Sequence, residues 1–348
     1  MSDVHIVGAG PAGSLSAISA LKNGHDVVIS EDHPQAGYPE NCSGLFSKDG
    51  LESLSLDYRD HVINPVHGAD IHFVDETLEI RRKEPVGFVC NRSGLDASLA
   101  EKAESLGAKI NYNERIAGSF HSKTIIGADG PMSSVARHFS FPKIRKHAFT
   151  LQASVPYRAE DPHIVEVFLS SRFPGFFGWV IPRNEEIAEF GAGALNNIHS
   201  AWKHLFDIKG LAAPKPRGWP IPISVRPRTS MKKNGYKVLL VGDAAGQVKA
   251  TTGGGVIFGG SCAQIAGKTL DPFLYELKWR ARFGPDLMIH SFIQDYLASQ
   301  SDAGIRELGR RLKKLNCDEF LSNFGHMDRP TKMIGPNIVA HVIRNLGV

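Results

Sequence analysis

The stretch Val4-His5-Ile6-Val7-Gly8-Ala9-Gly10-Pro11-Ala12-Gly13 narrows the fold more than any other part of the chain. A short apolar run, in which Val4 and Ile6 alternate as on a strand, breaks into glycines. Apolar residues then recur at helical spacing as Leu15, Ile18 and Leu21. Gly8, Gly10 and Gly13 fit G-x-G-x-x-G. Gly8 permits the tight turn, Gly10 lets a pyrophosphate approach the backbone, and Gly13 lets the helix pack close to the strand. With Ala12, these residues are expected against a dinucleotide, whose phosphates the helix N-terminus attracts through its free N–H groups and dipole. Gly24 closes the helix, and a second strand, Val27-Val28-Ile29-Ser30, ends at Glu31, 23 residues after Gly8. A carboxylate there accepts hydrogen bonds from an adenosine ribose and disfavours the 2′-phosphate of NADP. FAD and NAD both remain open on this evidence.

The 348 residues suffice for two domains with substantial cores. A 42% hydrophobic and 22% charged composition is that of an ordinary soluble protein, and a net charge of +4 is too slight to argue for nucleic acid. The chain enters its first strand almost at once, so no signal peptide is expected, and no apolar run reaches the length of a membrane span. Four cysteines, 42, 90, 262 and 317, form no C-x-x-C and read as reduced thiols in the cytoplasm. His199 and His204 lie five apart with no carboxylate motif between them, so no metal site is read.

A long irregular loop, residues 32–44, leaves the second strand where a doubly wound fold has its ligand crevice. Cys42 is its most reactive residue, a catalytic candidate or a small buried hydrophobe. Residues 68–83 alternate as a hairpin about Asp75-Glu76. Arg92 stands before a helix carrying Leu95, Leu99 and Leu106, within reach of a phosphate or a cofactor ring. Thr124-Ile125-Ile126-Gly127-Ala128-Asp129-Gly130 reads as a buried strand whose tight turn sets Asp129 and Gly130 at the crevice. From 147 to 195 the period becomes two, which marks an antiparallel sheet and a second domain. Residues 196–224 carry a short helical piece and a proline-rich return. Lys237 to Val241 form another buried strand ending in Gly242-Asp243, and Gly253-Gly254-Gly255 open a small-residue helix. Three glycines there present N–H groups to something bulky and electron-rich, which suits a flavin ring edge.

Toward the end, Ile305, Leu308, Leu312 and Leu315 form an apolar stripe backed by Arg306, Arg310, Arg311, Lys313 and Lys314. Ile338, Val339, Val342, Ile343 and Leu346 form another. The first reading is helices packed on the body with a solvated basic face, and the second is a peripheral membrane contact.

The ordered set Gly8-x-Gly10-x-x-Gly13, Gly127-Ala128-Asp129-Gly130 and Val241-Gly242-Asp243-Ala244-Ala245 resembles the flavoprotein hydroxylase superfamily of the p-hydroxybenzoate hydroxylase fold, over residues 1 to about 270. The resemblance implies FAD, with Glu31 on the adenosine ribose, Asp243 on the ribityl or pyrophosphate part, and Arg92, in Arg92-x-x-Leu95, facing the cofactor. A narrower stretch, Phe177-x-Trp179-x-Ile181-Pro182, eight residues, then Gly191-x-Gly193, resembles the geranylgeranyl reductase signature Y-x-W-x-F-P-x7–8-G-x-G, with Phe177 for Tyr and Ile181 for Phe. Cys42-Ser43-Gly44-Leu45 resembles that family's loop beside the flavin. Gly246 to Gly255 resembles its third motif, with Ala250 where proline is usual.

The fold expected is therefore α/β with an α+β second domain. A Rossmann-like FAD-binding domain takes 1–65, 85–145 and 226–285. An antiparallel-sheet substrate domain takes 66–84 and 146–225, and a helical region 286–348. The resemblance implies reduction of C=C bonds in isoprenoid chains, with a prenyl lipid or diphosphate as substrate and NAD(P)H or ferredoxin as electron donor. Flavin monooxygenases and halogenases share the fold, and halogenases carry a similar Trp-x-Ile-Pro run, so that chemistry is the alternative. A two-residue turn at Asn184-Glu185 would set Gly191 opposite Gly178, Gly193 opposite Phe176 and Phe190 opposite Trp179. Phe176, Trp179, Gly191 and Gly193, with Pro182 of the signature, are then expected to line an apolar tunnel. The other reading of these glycines is relief of a twisted sheet beneath aromatic core residues.

Overall fold

The computed structural model describes residues 2–333; the stripe from Ile338 to Leu346 lies outside them. The chain divides into two compact units. One holds the residues up to 40 with 91–147 and 221–288, and the other holds 41–90, 148–220 and the residues from 289 on.

The first unit is built on a parallel sheet. Its central strands are β1 (Val4–Val7), β2 (Val27–Ser30), β3 (Thr124–Gly127) and β7 (Tyr236–Leu240). Spatially they run β7-β3-β1-β2, with Lys109–Asn111 beyond β2 and the antiparallel Ser230–Lys233 beyond β7. The first two strands are buried at every position, including the polar His5 and Ser30, whose side chains hydrogen-bond each other at 2.8 Å. Helix α1 (Pro11–Leu21) follows β1, with Gly10 at its N-cap and Pro11 at the first helical position, where a missing N–H is no loss. It packs on α4 (Val256–Thr269) through small residues. Ser16 and Ser19 donate to the carbonyls of Ala263 and Gln264, and a Cβ at Gly267 would collide with the Ser16 carbonyl. Helix α2 (Arg92–Ser105) is capped by Asn91, whose side chain accepts from Gly94 N at 3.1 Å.

The second unit contains a seven-stranded sheet. Its strands include β4 (His147–Pro156), β5 (Gly178–Pro182) and β6 (Ile187–Ala194). The order is Arg217–Pro222, β4, β6, β5, Ile164–Leu169, Gly68–Phe73, Glu76–Arg81. The hairpin expected at 68–83 is thus part of this sheet, joined by parallel pairing of Gly68–Phe73 with Ile164–Leu169. The proline-rich return forms an edge strand, where Pro220 and Pro222 cost few ladder bonds. One face of the sheet packs on α3 (Ile198–Lys209) in a core of Leu151, Val155, Val180, Phe190, Trp202 and Phe206 among others. Residues 41–65, which the sequence reading leaves with the nucleotide domain, go with this unit. Leu45–Ser47 and Val62–Val66 both pair with Gly87–Cys90 in a separate three-stranded sheet, and that pairing has no local sequence signal.

The helix Asp302–Lys314 lays its stripe against the hairpin. Ile305, Leu308 and Leu312 pack with Phe73 and Leu78. A Cβ at Gly309 would stand 2.7 Å from Phe73 Cβ, so the helix sits close. Arg306 pairs with Asp75 at 2.5 Å and Arg310 with Glu76 at 3.1 Å. This stripe faces protein, as the first of the two readings held, rather than a membrane.

Candidate functional site

In the first unit the three glycine motifs converge. A Cβ on Gly8, whose φ is +100°, would meet the Ala128 carbonyl oxygen at 2.5 Å. Gly242, at φ +61°, approaches the Ala12 methyl at 3.0 Å in the same sense. The neighbouring turns are tied by Ala128 N donating to Val7 O and Val241 N to Gly127 O, at 2.8 and 3.0 Å. Around Gly10 the space is open, since a Cβ there would meet nothing within 4 Å. Neither α1 nor α4 has a side-chain cap at its glycine N-cap. Two helix N-termini therefore carry no capping side chain.

Glu31 is nearly buried at the end of β2. Its Oε2 accepts from Ala9 N at 2.7 Å, and its Oε1 from His33 N and Nδ1 at 3.0 and 2.7 Å. The carboxylate thus spans from the second strand to the glycine turn. Asp32 and His33 bring ligand atoms within 4.8 Å of it and of each other. Asp129 uses Oδ2 to cap the short helix Ser134–His138, accepting from Ser134 N, Ser134 Oγ and Val135 N at 2.6–3.0 Å. Its Oδ1 is buried and has no hydrogen-bond partner among the described residues. Gly130 follows at φ +72° with nothing near it.

Asp243 sits on the turn after β7. Burial strips water from its carboxyl and pushes the pKa up to about 6, with Arg92 pulling the other way. A Cβ on Gly255 would stand 2.8 Å from Asp243 Oδ1, so α4 begins directly over the carboxyl. Gly254 packs in the same way on the Lys249 side chain, at 2.7 Å from Cε. Arg92 is clamped on α2 by Asp96, with Nε and Nη2 each donating to one carboxylate oxygen at 2.7 and 2.9 Å. Arg226 is a supporting residue the sequence reading missed. It is buried and donates to Ala244 O at 2.6 Å and Pro142 O at 2.5 Å, which pins the Gly242-Asp243-Ala244 turn. An arginine within a proline-rich stretch gives no signal of that role.

These features fit a dinucleotide. There is clearance above Gly10, an orphaned carboxylate oxygen on Asp129, two helix N-termini without side-chain caps, and a carboxyl short of water on Asp243. Each is a group that a phosphate, hydroxyl or ring N–H would complete.

Cys42 and Gly44 belong to the second unit. Gly44, at φ +76°, lets its strand approach the Cys90 carbonyl, where a Cβ would collide, and its own carbonyl accepts from Cys90 N at 2.9 Å. Cys42 is half-buried, with its Sγ 3.4 Å from Gly44 N. Cys90 is fully buried, and burial first, then the neighbouring Cys42, pushes its thiol up to about 12.

The signature residues fall on β5 and β6, one residue out of the expected register. Trp179 faces Gly191, Val180 faces Phe190 and Gly178 faces Ala192. The turn holds three residues rather than two. Asn184 Oδ1 accepts from Glu186 N and Ile187 N at 2.9 and 2.8 Å, while Arg183 N donates to Ile187 O. An Asn side chain that mimics a backbone turn sets the slip. Strand alternation then puts Trp179, Gly191 and Gly193 on the face away from α3, and Pro182 on the α3 side with Val180. Pro182 is therefore not grouped with the other four residues.

The glycines do not leave that face bare. A Cβ at Gly191 would fall inside the Trp179 indole, and one at Gly193 inside the Phe176 ring. The aromatics lie down on the glycines, as the other reading of these residues held. Phe176, Phe177 and Trp179 form a continuous run, with centroids 4.5 and 5.4 Å apart. The face is also less apolar than expected. The register of β4 on β6 adds Thr150 and Gln152, both buried, and the exposed Ser154, and β6 adds the buried Glu189. Ser154 donates to Glu189 Oε2 at 2.7 Å. The alternation Thr150-x-Gln152-x-Ser154 is visible in the sequence, but such a polar phase ordinarily marks the solvent side.

A Rossmann-like parallel sheet with three convergent glycine turns in one unit, and a large mixed sheet in the other, define the class: the fold shared with FAD-dependent flavoproteins. A probable FAD-dependent monooxygenase from Pseudomonas aeruginosa shares it at a TM-score of 0.64 and 17% identity, over 88% of this chain and 99% of that one. A geranylgeranyl bacteriochlorophyll reductase-like protein from Thermoplasma acidophilum matches at a TM-score of 0.78 and 22% identity, over 99% and 96%. In sequence, the chain is similar to digeranylgeranylglycerophospholipid reductase 1 of Methanothermobacter thermautotrophicus, 25% identical over 91% of this chain and 92% of that one. It is also similar to the same organism's reductase 2, 28% identical over 82% and 85%. No protein-family model matches the chain.

Proposed function

We propose that this protein is an FAD-dependent reductase that saturates C=C bonds of geranylgeranyl chains in membrane-lipid biosynthesis. The observation that carries the reading is the similarity to digeranylgeranylglycerophospholipid reductase 1 over 91% of this chain, joined to three glycine turns that converge as a dinucleotide requires. The signature spacing becomes one aromatic-on-glycine surface, in a chain similar along most of its length to digeranylgeranylglycerophospholipid reductases.

The dinucleotide would rest on Gly8, Gly10, Ala12 and Gly13, with Glu31 toward the adenosine ribose. Asp129, Gly130, Gly242 and Asp243 would take its polar middle, and Gly254, Gly255 and Arg92 would lie toward the ring. When reduced, such a flavin supplies a hydride to one alkene carbon. The chain's own part is to hold an unactivated apolar substrate and keep water from it. Phe176, Phe177 and Trp179 are already almost wholly buried, so affinity would come from removing the prenyl chain's own surface from water, each buried Å2 contributing about 25 cal/mol. Cys42 is the candidate for placing a proton, and its loop sits on Gly44. NAD(P)H or ferredoxin would return the electrons. The setting would be the cytoplasm, with lipid substrate drawn from a membrane surface; among the described residues no helix is long and apolar enough to cross a membrane.

The test is anaerobic incubation of chemically reduced protein with digeranylgeranylglycerophospholipid, followed by mass spectrometry. The expected product gains two hydrogens per bond reduced. In a parallel aerobic incubation, oxygen consumption with hydroxylated or halogenated product would establish the monooxygenase or halogenase alternative. Asp243→Ala should weaken FAD binding by ~1–3 kcal/mol, read by flavin fluorescence, because a polar cofactor group would be left unpaired. Cys42→Ser should keep the flavin spectrum and change the rate or the pattern of bonds saturated; unchanged products and rates would leave Cys42 a packing residue.

A further inference from the structure

The face carrying Trp179 holds two buried N–H donors with nothing to donate to. Trp179 is 8% exposed and Gln152 7%. Trp179 Nε1 and Gln152 Nε2 have no hydrogen-bond partner among the described residues. The two sit in one row of the sheet, since Trp179 and Gln152 both pair with Gly191, from opposite sides. The indole lies across Gly191 and fills the space a side chain there would take, with Cε2, Cζ2 and Nε1 at 2.0, 2.1 and 2.5 Å from where a Gly191 Cβ would be. Directly paired residues on one face stand about 5 Å apart at Cβ. The indole nitrogen therefore sits over Gly191, in the row that Gln152 continues on the next strand.

We propose that Gln152 and Trp179 form a two-donor site for a single neutral oxygen acceptor, above Gly191. Two buried donors without an acceptor are costly, and native proteins seldom leave one so. Two converging N–H groups match the two lone pairs of a water, hydroxyl or ether oxygen. A free anion suits the site less well, because the side chain two residues along β6 on the same face is Glu189, 1% exposed. The oxygen comes either from a bound water or from the polar end of a prenyl substrate; the second source rests on the function proposed above.

The test uses the flavin-loaded protein with geranylgeraniol and phytane, a saturated hydrocarbon of similar length without oxygen. Equilibrium binding is measured for wild type, Gln152→Leu and Trp179→Phe; the last keeps the aromatic packing and removes the N–H. Crystal structures of wild type and Gln152→Leu accompany it. Density for an oxygen between the two nitrogens, lost in Gln152→Leu, is expected. If the substrate supplies the oxygen, Gln152→Leu binds geranylgeraniol about tenfold more weakly and phytane as before, and Trp179→Phe loses more on geranylgeraniol than on phytane. If water supplies it, the oxygen is present without ligand, Gln152→Leu binds both compounds as wild type does, and any loss in Trp179→Phe is equal for the two. The proposal is overturned if the crystals show Gln152 turned so that Oε1 accepts from Trp179 Nε1, with no third atom between them. It is equally overturned if a soaked bromide takes the position. Wild type that binds neither compound would count against the reductase reading, while the density still decides the oxygen site.

Discussion

At the scale of single residues, the sharpest consequence lies in Asp243. Its carboxyl titrates near 6 in the fold against an ordinary 3.8. The folded state therefore holds this proton more tightly than the unfolded chain. The stability this contributes is full below about pH 4 and is lost as pH rises through about 6. Asp243→Asn has no such titration. In flavin-free protein the melting temperature of the variant should gain on that of wild type between pH 4 and 7; a difference that stays flat would mean that the carboxyl is solvated. The glycines under the aromatics give a second consequence. Gly191→Ala puts a methyl where the Trp179 indole lies, so Trp179 must move, at a cost of about 1–3 kcal/mol. Urea denaturation and tryptophan fluorescence should register both. These residues differ in how far the sequence exposes them. Gly8, Gly10 and Gly13 are legible because the chemistry of a tight turn admits few alternatives. Gln152 is not, because a polar residue in a strand reads as solvent-facing until the register shows what it faces.

At the scale of elements, local patterns held and pairings did not. The strand–glycine–helix unit, the hairpin at 68–81 and the helix from Val256 all stand where periodicity and glycine chemistry put them. The β5–β6 register was missed by one residue, because the side chain of Asn184 rather than the backbone closes the turn. The parallel pairing of Gly68–Phe73 with Ile164–Leu169 joins segments almost a hundred residues apart and leaves no local trace. An ion pair ties the second of these strands to α3. Glu166, on the strand Ile164–Leu169, is bonded by Lys209 of α3 at 2.6 Å and lies 3.3 Å from His72 Nε2. Burial alone would raise the Glu166 pKa, but the hydrogen bonds from His72 and Lys209 outweigh it and hold the pKa below the ordinary value. The stability it contributes is therefore present at neutral pH and lost as pH falls through the lowered folded value. Lys209→Met strands the carboxylate and should cost about 2 kcal/mol at pH 7 by urea denaturation, and less near pH 4.

At the scale of the whole molecule, the glycine motifs are far apart in sequence and close in the fold. The three glycine motifs lie between residues 8 and 255, yet all fall in one compact unit. What binds them joins segments that are neighbours in the folded state and far apart in the unfolded chain. Such a ligand binds the native state and not the unfolded one, so it must stabilise the protein by mass action. At a free concentration about a hundredfold above Kd the gain is about 2.7 kcal/mol, which for a chain this size moves the melting temperature by several degrees. FAD should therefore raise the melting temperature of flavin-free protein by that order. NAD offers the same adenosine ribose to Glu31 and the same pyrophosphate to Gly10, but no isoalloxazine for the Gly253-Gly254-Gly255 turn, and it should give a much smaller shift. In Asp243→Ala the FAD shift should shrink toward that of NAD and the NAD shift should fall less, because Asp243 sits beside Gly255 rather than beside Glu31. Equal shifts from the two dinucleotides in wild type would mean that the third glycine turn takes no part in binding, and the flavin assignment would fall with it.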